Sequence, residues 1–200
     1  MEAFKLFNKW ETKVEFRDPG LKEYINLNPT MNLASGGKHT RTQFWKVKCN
    51  LVERLMNRMM ITGHIKEGRI HRKSSGHDTG KKTTQYKLMK DALAIIEEKT
   101  KQNPLQVLVH AVENAAPREE TTSFRQGGII ARKPVDVAPA RRLDVALRFI
   151  SHGASQRAFR TGKGLATGLS EELMAAAKYD TKTYSIAKKD ETERVASGSR

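Results

Sequence analysis

The sequence has little of several features on which common classes of protein depend. Its one cysteine, Cys49, excludes an internal disulfide and a zinc site built from several thiolates. No apolar run approaches the roughly 20 residues that a membrane-spanning helix needs. The N-terminus, MEAFKLFNKW, has no basic region followed by an apolar stretch, so no secretory signal is expected. Together these absences favour an intracellular protein in a reducing compartment.

Acidic residues are also scarce relative to basic ones. The chain has 22 Asp and Glu against 37 Lys and Arg, a formal net charge of +15. A surplus of this size repels itself unless an anion neutralises it, and the usual anions are nucleic acid and anionic membrane. The excess is patchy: residues 31–60 carry six bases and one acid, residues 61–90 carry eight and two, but residues 91–120 carry three and six. Such selected basic surfaces are typical of proteins that contact phosphate.

Apolar residues recur at helical spacing in five segments, which predicts a mainly α chain with a bundle of about six helices. The first helix is expected over about 49–61. Asn103 suits a cap, and Pro104 and Pro139 suit first helical turns. Residues 182–197 alternate in charge and predict a short solvated helix or a tail that orders on a partner. The stripes are Val52, Leu55, Met56 and Met59; Leu88, Ala92, Ile95 and Ile96; Leu105, Leu108, Val109, Val112 and Ala116; Leu143, Ala146, Leu147, Ile150, Ala154 and Ala158; and Leu165, Leu169, Leu173 and Ala177.

Two features of these helices bear on how they pack. The second and third stripes are expected to form an antiparallel pair of core helices. The net negative charge of this segment suits packing against protein rather than RNA. Three glycines within residues 162–168 are expected to weaken the helix around Leu165 by about 1 kcal/mol each relative to alanine. Glu171 and Glu172, directly behind Ser170, are interpreted as capping and dipole compensation at the start of that helix.

The remaining segments predict arms and loops. Residues 1–30 contain apolar residues without a clear period and are expected to form an extended arm. Residues 35–48, SGGKHTRTQFWKVK, have a Gly-Gly pair near their start and are basic, which indicates a loop. Residues 62–82 hold four glycines and six bases, and predict a mobile basic loop. We therefore divide the chain into an N-terminal arm with its basic loop, 1–48, and a helical domain, 49–200.

The segment between Pro117 and Pro139 lacks helical period. Gly127 and Gly128 supply the positive backbone angles that a two-residue hairpin turn demands. A β-hairpin is therefore predicted over about 120–138, protruding from the helical body. The residues that favour strand there are Thr121, Thr122, Phe124, Ile129, Ile130, Val135 and Val137.

Motifs typical of enzymes or metal sites are incomplete. Residues 76–83, GHDTGKKT, are similar to a phosphate-binding loop, but three residues separate the glycines instead of four and no apolar strand precedes them. The spacing of His64, His71 and His77 fits no helix face, and no thiolate or acidic cluster joins them. Cys49 is interpreted as a packing residue. No catalytic, cofactor-binding or metal-binding residue is therefore predicted.

The basic segments are the stronger functional signal. Arg125, Arg132 and Lys133 flank the hairpin turn, and Arg141 and Arg142 stand at its helical root. The planar donor fork of arginine suits phosphate and base edges, and a free hairpin is only marginally stable without a partner. A merely solvated hairpin is one alternative. A helical DNA-binding module is another, but it would place the charge on a recognition helix, whereas these helices are neutral or acidic outside.

Taken together, several long segments resemble the small-subunit ribosomal protein S-seven family, most closely its eukaryotic form, elsewhere called ribosomal protein S five. The resemblance covers nearly the whole chain. The sequence NPLQVLV followed by PRE and by VDVxPxRR is specific. The segments are KLFNKW (5–10), CNLVERLMNRMM (49–60), NPLQVLVHAVENAAPRE (103–119), VDVAPARRLDVALRFISHGASQRAFR (135–160) and LSEELMAAAKYDTKTYSIAKKDETERVASGSR (169–200).

The resemblance implies a helical body with a protruding hairpin, seated in the head of the small ribosomal subunit in the cytoplasm. Members of the family bind the 3′ major domain of the small-subunit rRNA early in head assembly, and their hairpin reaches toward exit-site tRNA and the mRNA leaving it. Expected partners are therefore rRNA, mRNA, exit-site tRNA and neighbouring head and platform proteins, with no membrane and no cofactor. An enzyme is not expected. The alternative is a regulatory RNA- or DNA-binding module outside the ribosome.

The expected RNA-binding residues come from two sources. Hairpin and tail residues are carried over from the family by matching positions, while loop residues are selected by charge. The set is Lys38, Arg41, Lys46 and Lys48 in the first basic loop; Arg72 and Lys73 in the second; Arg125, Gln126, Gly127 and Gly128 at the hairpin tip; Arg132 and Lys133 on its returning strand; Arg141 and Arg142 at its base; and Lys188, Lys189, Arg194 and Arg200 in the basic tail.

Overall fold

The computed structural model describes residues 5–30, 32–66, 69–71 and 80–200. Seven α-helices and two antiparallel β-hairpins form in this part of the chain, which confirms the predicted mainly helical fold with a β-hairpin. The helices are α1 (Pro19–Lys22), α2 (Leu51–Met59), α3 (Lys82–Thr100), α4 (Pro104–Ala115), α5 (Pro139–Ala158), α6 (Leu165–Ala177) and α7 (Tyr184–Ser197). The strands are β1 (His64–Lys66), β2 (Arg69–His71), β3 (Glu119–Gln126) and β4 (Ile129–Asp136), and two short 3-10 helices lie at Lys38–Thr40 and Trp45–Lys48.

Helix α6 is the centre of the helical body, because it contacts α3, α4, α5 and α7. Its stripe of Leu165, Leu169 and Leu173 is buried. The helices α3 and α4 do contact each other, but each packs more extensively on α6. The expected pair of core helices is therefore part of a larger arrangement around one central helix.

The glycine of α6 permits its close packing on α5. A Cβ atom on Gly168 would lie 2.8 Å from the backbone oxygen of Ala154 on α5, and one on Gly153 of α5 would overlap the carboxylate of Glu172. The helix begins at Leu165, so Gly168 is the single one of the three predicted helix-weakening glycines that lies inside it. Glycine lowers the helix propensity at position 168, but the backbones of α5 and α6 approach too closely there for any larger residue.

The described part of the N-terminal arm is tied to the same core. Leu6, Trp10 and Leu21 are buried in the cluster that α2 to α6 form. The amide of Gln106 on α4 binds the backbone of Glu15 through both its oxygen and its nitrogen, each at 2.8 Å. The described part of the arm is thus held along α4 by side-chain hydrogen bonds. It is not extended throughout, as predicted, because residues 6–10 form a turn and α1 spans Pro19–Lys22.

Two regions differ from the sequence prediction. The loop predicted over 62–82 is wrong where β1 pairs with β2, since His64 to Lys66 are hydrogen-bonded to Arg69 to His71. Residues 67–68 and 72–79 lie outside the described part. Helix α3 begins at Lys82, well before the predicted stripe, and it buries Gln85 and Met89. Tertiary packing stabilises these first turns, so they need few apolar residues of their own.

The C-terminal segment and the paired glutamates also differ. Residues 182–197 include the helix α7, and Ile186 and Ala196 bury it against the body rather than leaving it solvated. Ser170 does not cap α6, because the helix begins at Leu165 and the Ser170 hydroxyl donates to the backbone oxygen of Thr167. The interpretation of Glu172 as a capping residue is wrong, since its side chain is fully buried between helices.

Candidate nucleic-acid interface

The hairpin of β3 and β4 is regular from its base to its tip. Glu119 pairs with Asp136 at the base, and Gln126 pairs with Ile129 next to the turn. Gly127 and Gly128 have φ angles of 57° and 86°, in the left-handed region that favours glycine. A two-residue turn of this kind matches the twist of the two strands, which is why the local sequence was sufficient to predict it.

The strand register sorts the hairpin cations onto two faces. Ser123 pairs with Arg132 and Arg125 pairs with Ile130, so both arginines lie on one face as diagonal neighbours. Lys133 pairs with Thr122 on the opposite face, and its Nζ lies 5.6 Å from the centre of the Phe124 ring. All three cations are exposed. The ribbon therefore presents positive charge on both sides.

The base of the hairpin is held by ion pairs. Arg141 on α5 binds both carboxylate oxygens of Glu120, at 2.6 and 2.9 Å, and this hydrogen bonding raises the pKa of Arg141. Arg200, behind α7, binds Glu119 at 2.5 Å. The Glu193 carboxylate accepts the backbone N–H of Arg118 at 2.9 Å. Helices α5 and α7 thus fix the direction in which the ribbon points.

Arg142 lies inside the protein, unlike its neighbour Arg141. It is 9% exposed, and its guanidinium donates to the carboxylate of Asp18 at 2.6 Å. Burial opposes ionisation of Asp18, but the hydrogen bonds from Arg142 and from the Gly20 N–H outweigh it and lower the pKa of the carboxyl. This arginine therefore joins the N-terminal arm to α5.

An open groove of about 650 Å³ lies where the first basic loop faces α2 and the start of α5. Its lining contains five cations and one acid, and it also contains the exposed side chains of Phe44 and Ile61. The charged side chains are Lys46, Arg54, Arg58, Arg141, Arg148 and Asp144. A concave, positively charged surface with an exposed ring combines the two features that bind single-stranded nucleic acid, namely phosphate attraction and base stacking.

The acid in the groove is neutralised. Asp144 accepts hydrogen bonds from Lys46 and from Arg54, the latter at 2.7 Å. Burial opposes ionisation of Asp144, but these two cations outweigh it and lower its pKa. The ion pairs also anchor the loop to α5, so Lys46 is partly committed to a structural role. The charge that remains in the groove is positive.

The other predicted cations of the first basic loop face solvent. Lys38 and Arg41 are exposed, and Lys48 lies 5.6 Å from the centre of the Trp45 ring. None of the three lines the groove. Arg72 and Lys73, from the second basic loop, lie outside the described residues.

Most of the predicted tail cations have partners within the chain. Lys188 pairs with Glu191 at 2.5 Å and Lys189 pairs with Glu193 at 2.7 Å. Burial opposes the charge of Lys189, but Glu193 and Tyr179 outweigh it and raise its pKa. Arg194 is exposed. The tail therefore carries less available charge than its composition indicates.

Comparison with known proteins identifies the chain. The family model described as "Ribosomal protein S7p/S5e" matches residues 23–200. The chain belongs to this family. Its similarity to "Small ribosomal subunit protein uS7" of Thermoplasma volcanium is 45% identity, over 98% of this chain and all of the relative. For the protein of that name from Methanosphaera stadtmanae it is 46% identity, over 97% of each chain.

Membership confirms several predictions at once. The chain is a ribosomal protein of a small-subunit family, so its role is structural and not enzymatic, and its place is the ribosome in the cytoplasm, as predicted. The eukaryotic form favoured by the sequence stays a prediction. Within the described residues no helix is long and apolar enough to cross a membrane. Nor does that part of the chain contain a group of three or more side chains suited to a metal ion.

Several groove residues of this S7p/S5e protein were missed from the sequence. Arg54 and Arg58 are four apart on α2, and Asp144 and Arg148 are four apart on α5. Side chains at this spacing share one helix face. The signal was therefore present on the polar side of each apolar stripe. The sequence did not indicate that the polar faces of α2 and α5 lie together beside Phe44.

Proposed function

We propose that the protein binds small-subunit rRNA in the head of the ribosomal subunit, in the 3′ major domain, and supports head assembly. The groove and the hairpin would share this work. The family membership supports the proposal. So does the excess of cations in the groove, where Asp144 and Glu120 pair with three of the five and the net charge stays positive. Phosphate neutralisation by such residues supplies most of the affinity for nucleic acid, while packing fixes register and orientation.

We further propose that the hairpin lies near the mRNA exit and the exit-site tRNA. The observation that carries this step is the contrast between tip and base. Arg141 at the base is bound by Glu120, whereas Arg125 and Arg132 are exposed and enter no ion pair among the described residues. Exposed cations on a protruding ribbon are available to an anion that approaches from outside.

Neighbouring proteins of the head and platform are proposed as further partners. Val195 on α7 and Tyr179 in the segment before it are exposed large side chains that do not line the groove. An isolated exposed apolar residue is normal on a protein surface. These two residues therefore indicate a region to examine by cross-linking rather than a defined interface.

The rRNA-binding proposal is tested by the salt dependence of binding to a transcript of the 3′ major domain. Replacing Arg125, Arg132 and Lys133 together by Ala should weaken binding and reduce the slope of log affinity against log salt by about two to three. A control that loses the same three charges elsewhere is Lys87, Lys90 and Lys182 to Ala, all exposed. An identical loss in both variants would show that net charge alone governs binding.

The position of the hairpin is tested in assembled ribosomes. A photo-reactive side chain at position 125 or 132 should cross-link to mRNA or exit-site tRNA in translating complexes. Cross-links confined to proteins would contradict the proposal. Sedimentation distinguishes a ribosomal protein from a regulatory module outside the ribosome. The regulatory module would be absent from small-subunit particles at moderate salt.

A further inference from the structure

Phe44 combines two features that folding of the chain does not explain. Its φ angle is 65°, in the left-handed region, where a side chain with a bulky Cβ substituent is strained. Its side chain is also 64% exposed, so burial of the ring does not compensate the strain. A non-glycine residue in this conformation persists because the surrounding structure imposes it, and such residues concentrate at functional sites.

The surrounding loop is indeed held firmly. Lys46, two residues on, is bound to Asp144 of α5, and the Asn26 amide donates to the backbone oxygen of Lys48 at 2.6 Å. The Phe44 carbonyl accepts the N–H of Val47 at 3.0 Å, which closes the short helix that follows. The ring is thus presented to the groove by a backbone that is anchored directly after it in the chain.

The groove around the ring is positively charged. Arg148 on α5 and Arg58 on α2 line the same concavity, while the one acid there, Asp144, is already paired. An aromatic face beside cations suits a planar, electron-rich group whose neighbours carry negative charge. A nucleobase between two phosphates has this chemistry.

We propose that Phe44 stacks on an unpaired base of the bound RNA, with the groove cations holding the flanking phosphates. A paired base does not fit this geometry, because its faces are covered by its neighbours in the duplex. The inference rests on the proposed rRNA binding. It adds that Phe44 is a recognition residue and that the base it contacts is unpaired. It also explains why the strained backbone is retained.

The test compares three variants of the full chain on two probes. The probes are the 3′ major domain transcript and a blunt 12-base-pair RNA duplex. Phe44→Tyr keeps an aromatic face and should bind the transcript like the unaltered protein. Phe44→Leu keeps the strain and the apolar character but should lose about tenfold in affinity, the scale of one base–aromatic stack. On the duplex the two variants should bind equally.

A third variant separates stacking from folding. Asparagine tolerates the left-handed region, so Phe44→Asn should melt no lower than the unaltered protein while losing affinity for the transcript as Phe44→Leu does. Equal transcript affinity for the Leu, Tyr and unaltered proteins would overturn the inference and leave rRNA binding intact. Absence of specific transcript binding by the unaltered protein would instead overturn the proposed function.

Discussion

Arg157 on α5 donates from Nε to the Glu172 carboxylate on α6 at 2.6 Å, and Glu172 has no exposed surface. The second carboxylate oxygen accepts the N–H and the hydroxyl of Ser185 at the start of α7, at 3.1 and 2.8 Å. One buried acid therefore joins three helices. Helix α7 in turn contacts the base of the hairpin. Glu172 therefore connects the core helices to the helix that orients the ribbon.

Replacing Glu172 by Gln should destabilise the protein by about 2–4 kcal/mol, because the Arg157 charge and the Ser185 donors lose a buried anion. Urea unfolding followed by circular dichroism measures the change. The adjacent Glu171 pairs with Lys163 at the surface, and Glu171→Gln should cost less than about 1 kcal/mol. Equal losses at both positions would contradict the role assigned to Glu172.

Gly168→Ala should destabilise the protein by about 1–2 kcal/mol, although alanine is the better helix former. The added Cβ would lie 2.8 Å from the Ala154 backbone oxygen, so α5 and α6 must separate. Gly164→Ala is the control, since a Cβ there meets nothing within 4 Å. If Gly168→Ala raised the stability measured by thermal unfolding, the close approach of the two helices would be wrong.

Arg142→Met should lower the free energy of unfolding by about 1–3 kcal/mol, because it leaves Asp18 without its buried partner. Arg132→Met on the exposed strand should change it by no more than about 0.5 kcal/mol. For RNA affinity the order should be reversed, with Arg132→Met losing more affinity than Arg142→Met. A loss of fold in Arg132→Met would show that the hairpin cation has an internal role.

Native Cys49 should react very slowly with a thiol reagent at pH 8. Burial, with a further contribution from the hydrogen bond to Glu53, raises the pKa of the Cys49 thiol to about 12, so little thiolate is present. Unfolding in guanidinium should restore the rate of an ordinary thiol. Rapid modification of the folded protein, followed by mass spectrometry, is the result that would refute this.

Acid should weaken the anchor between the first basic loop and α5. The pKa of Asp144 is lowered in the folded state, so its contribution to stability is present above the unfolded value of about 3.9 and is lost as pH falls through the folded pKa. Asp144→Asn should therefore be less stable than the unaltered protein at pH 7, and the difference should shrink below about pH 4. A difference that stays constant with pH would exclude this linkage.

Much of the architecture follows from patterns that act over a few residues. The stripe from Leu143 to Ala158 predicts α5, and Gly127 and Gly128 predict the hairpin turn, because helical spacing and positive φ angles are local properties. The family was also recognisable from sequence, since its long motifs are continuous. The start of α3 and the strands β1 and β2 were not predictable in this way, because packing and pairing with other segments stabilise them.

The availability of each cation, by contrast, depends on residues far away in the chain. Arg141 and Arg142 are neighbours with the same charge, yet one binds Glu120 at the surface and the other binds Asp18, 124 residues away, in the interior. Composition supplies a net charge of +15 and favours an anionic partner. Only the folded chain separates the cations that hold the protein together from those left for RNA, because ion pairing is settled by distances between helices, strands and loops.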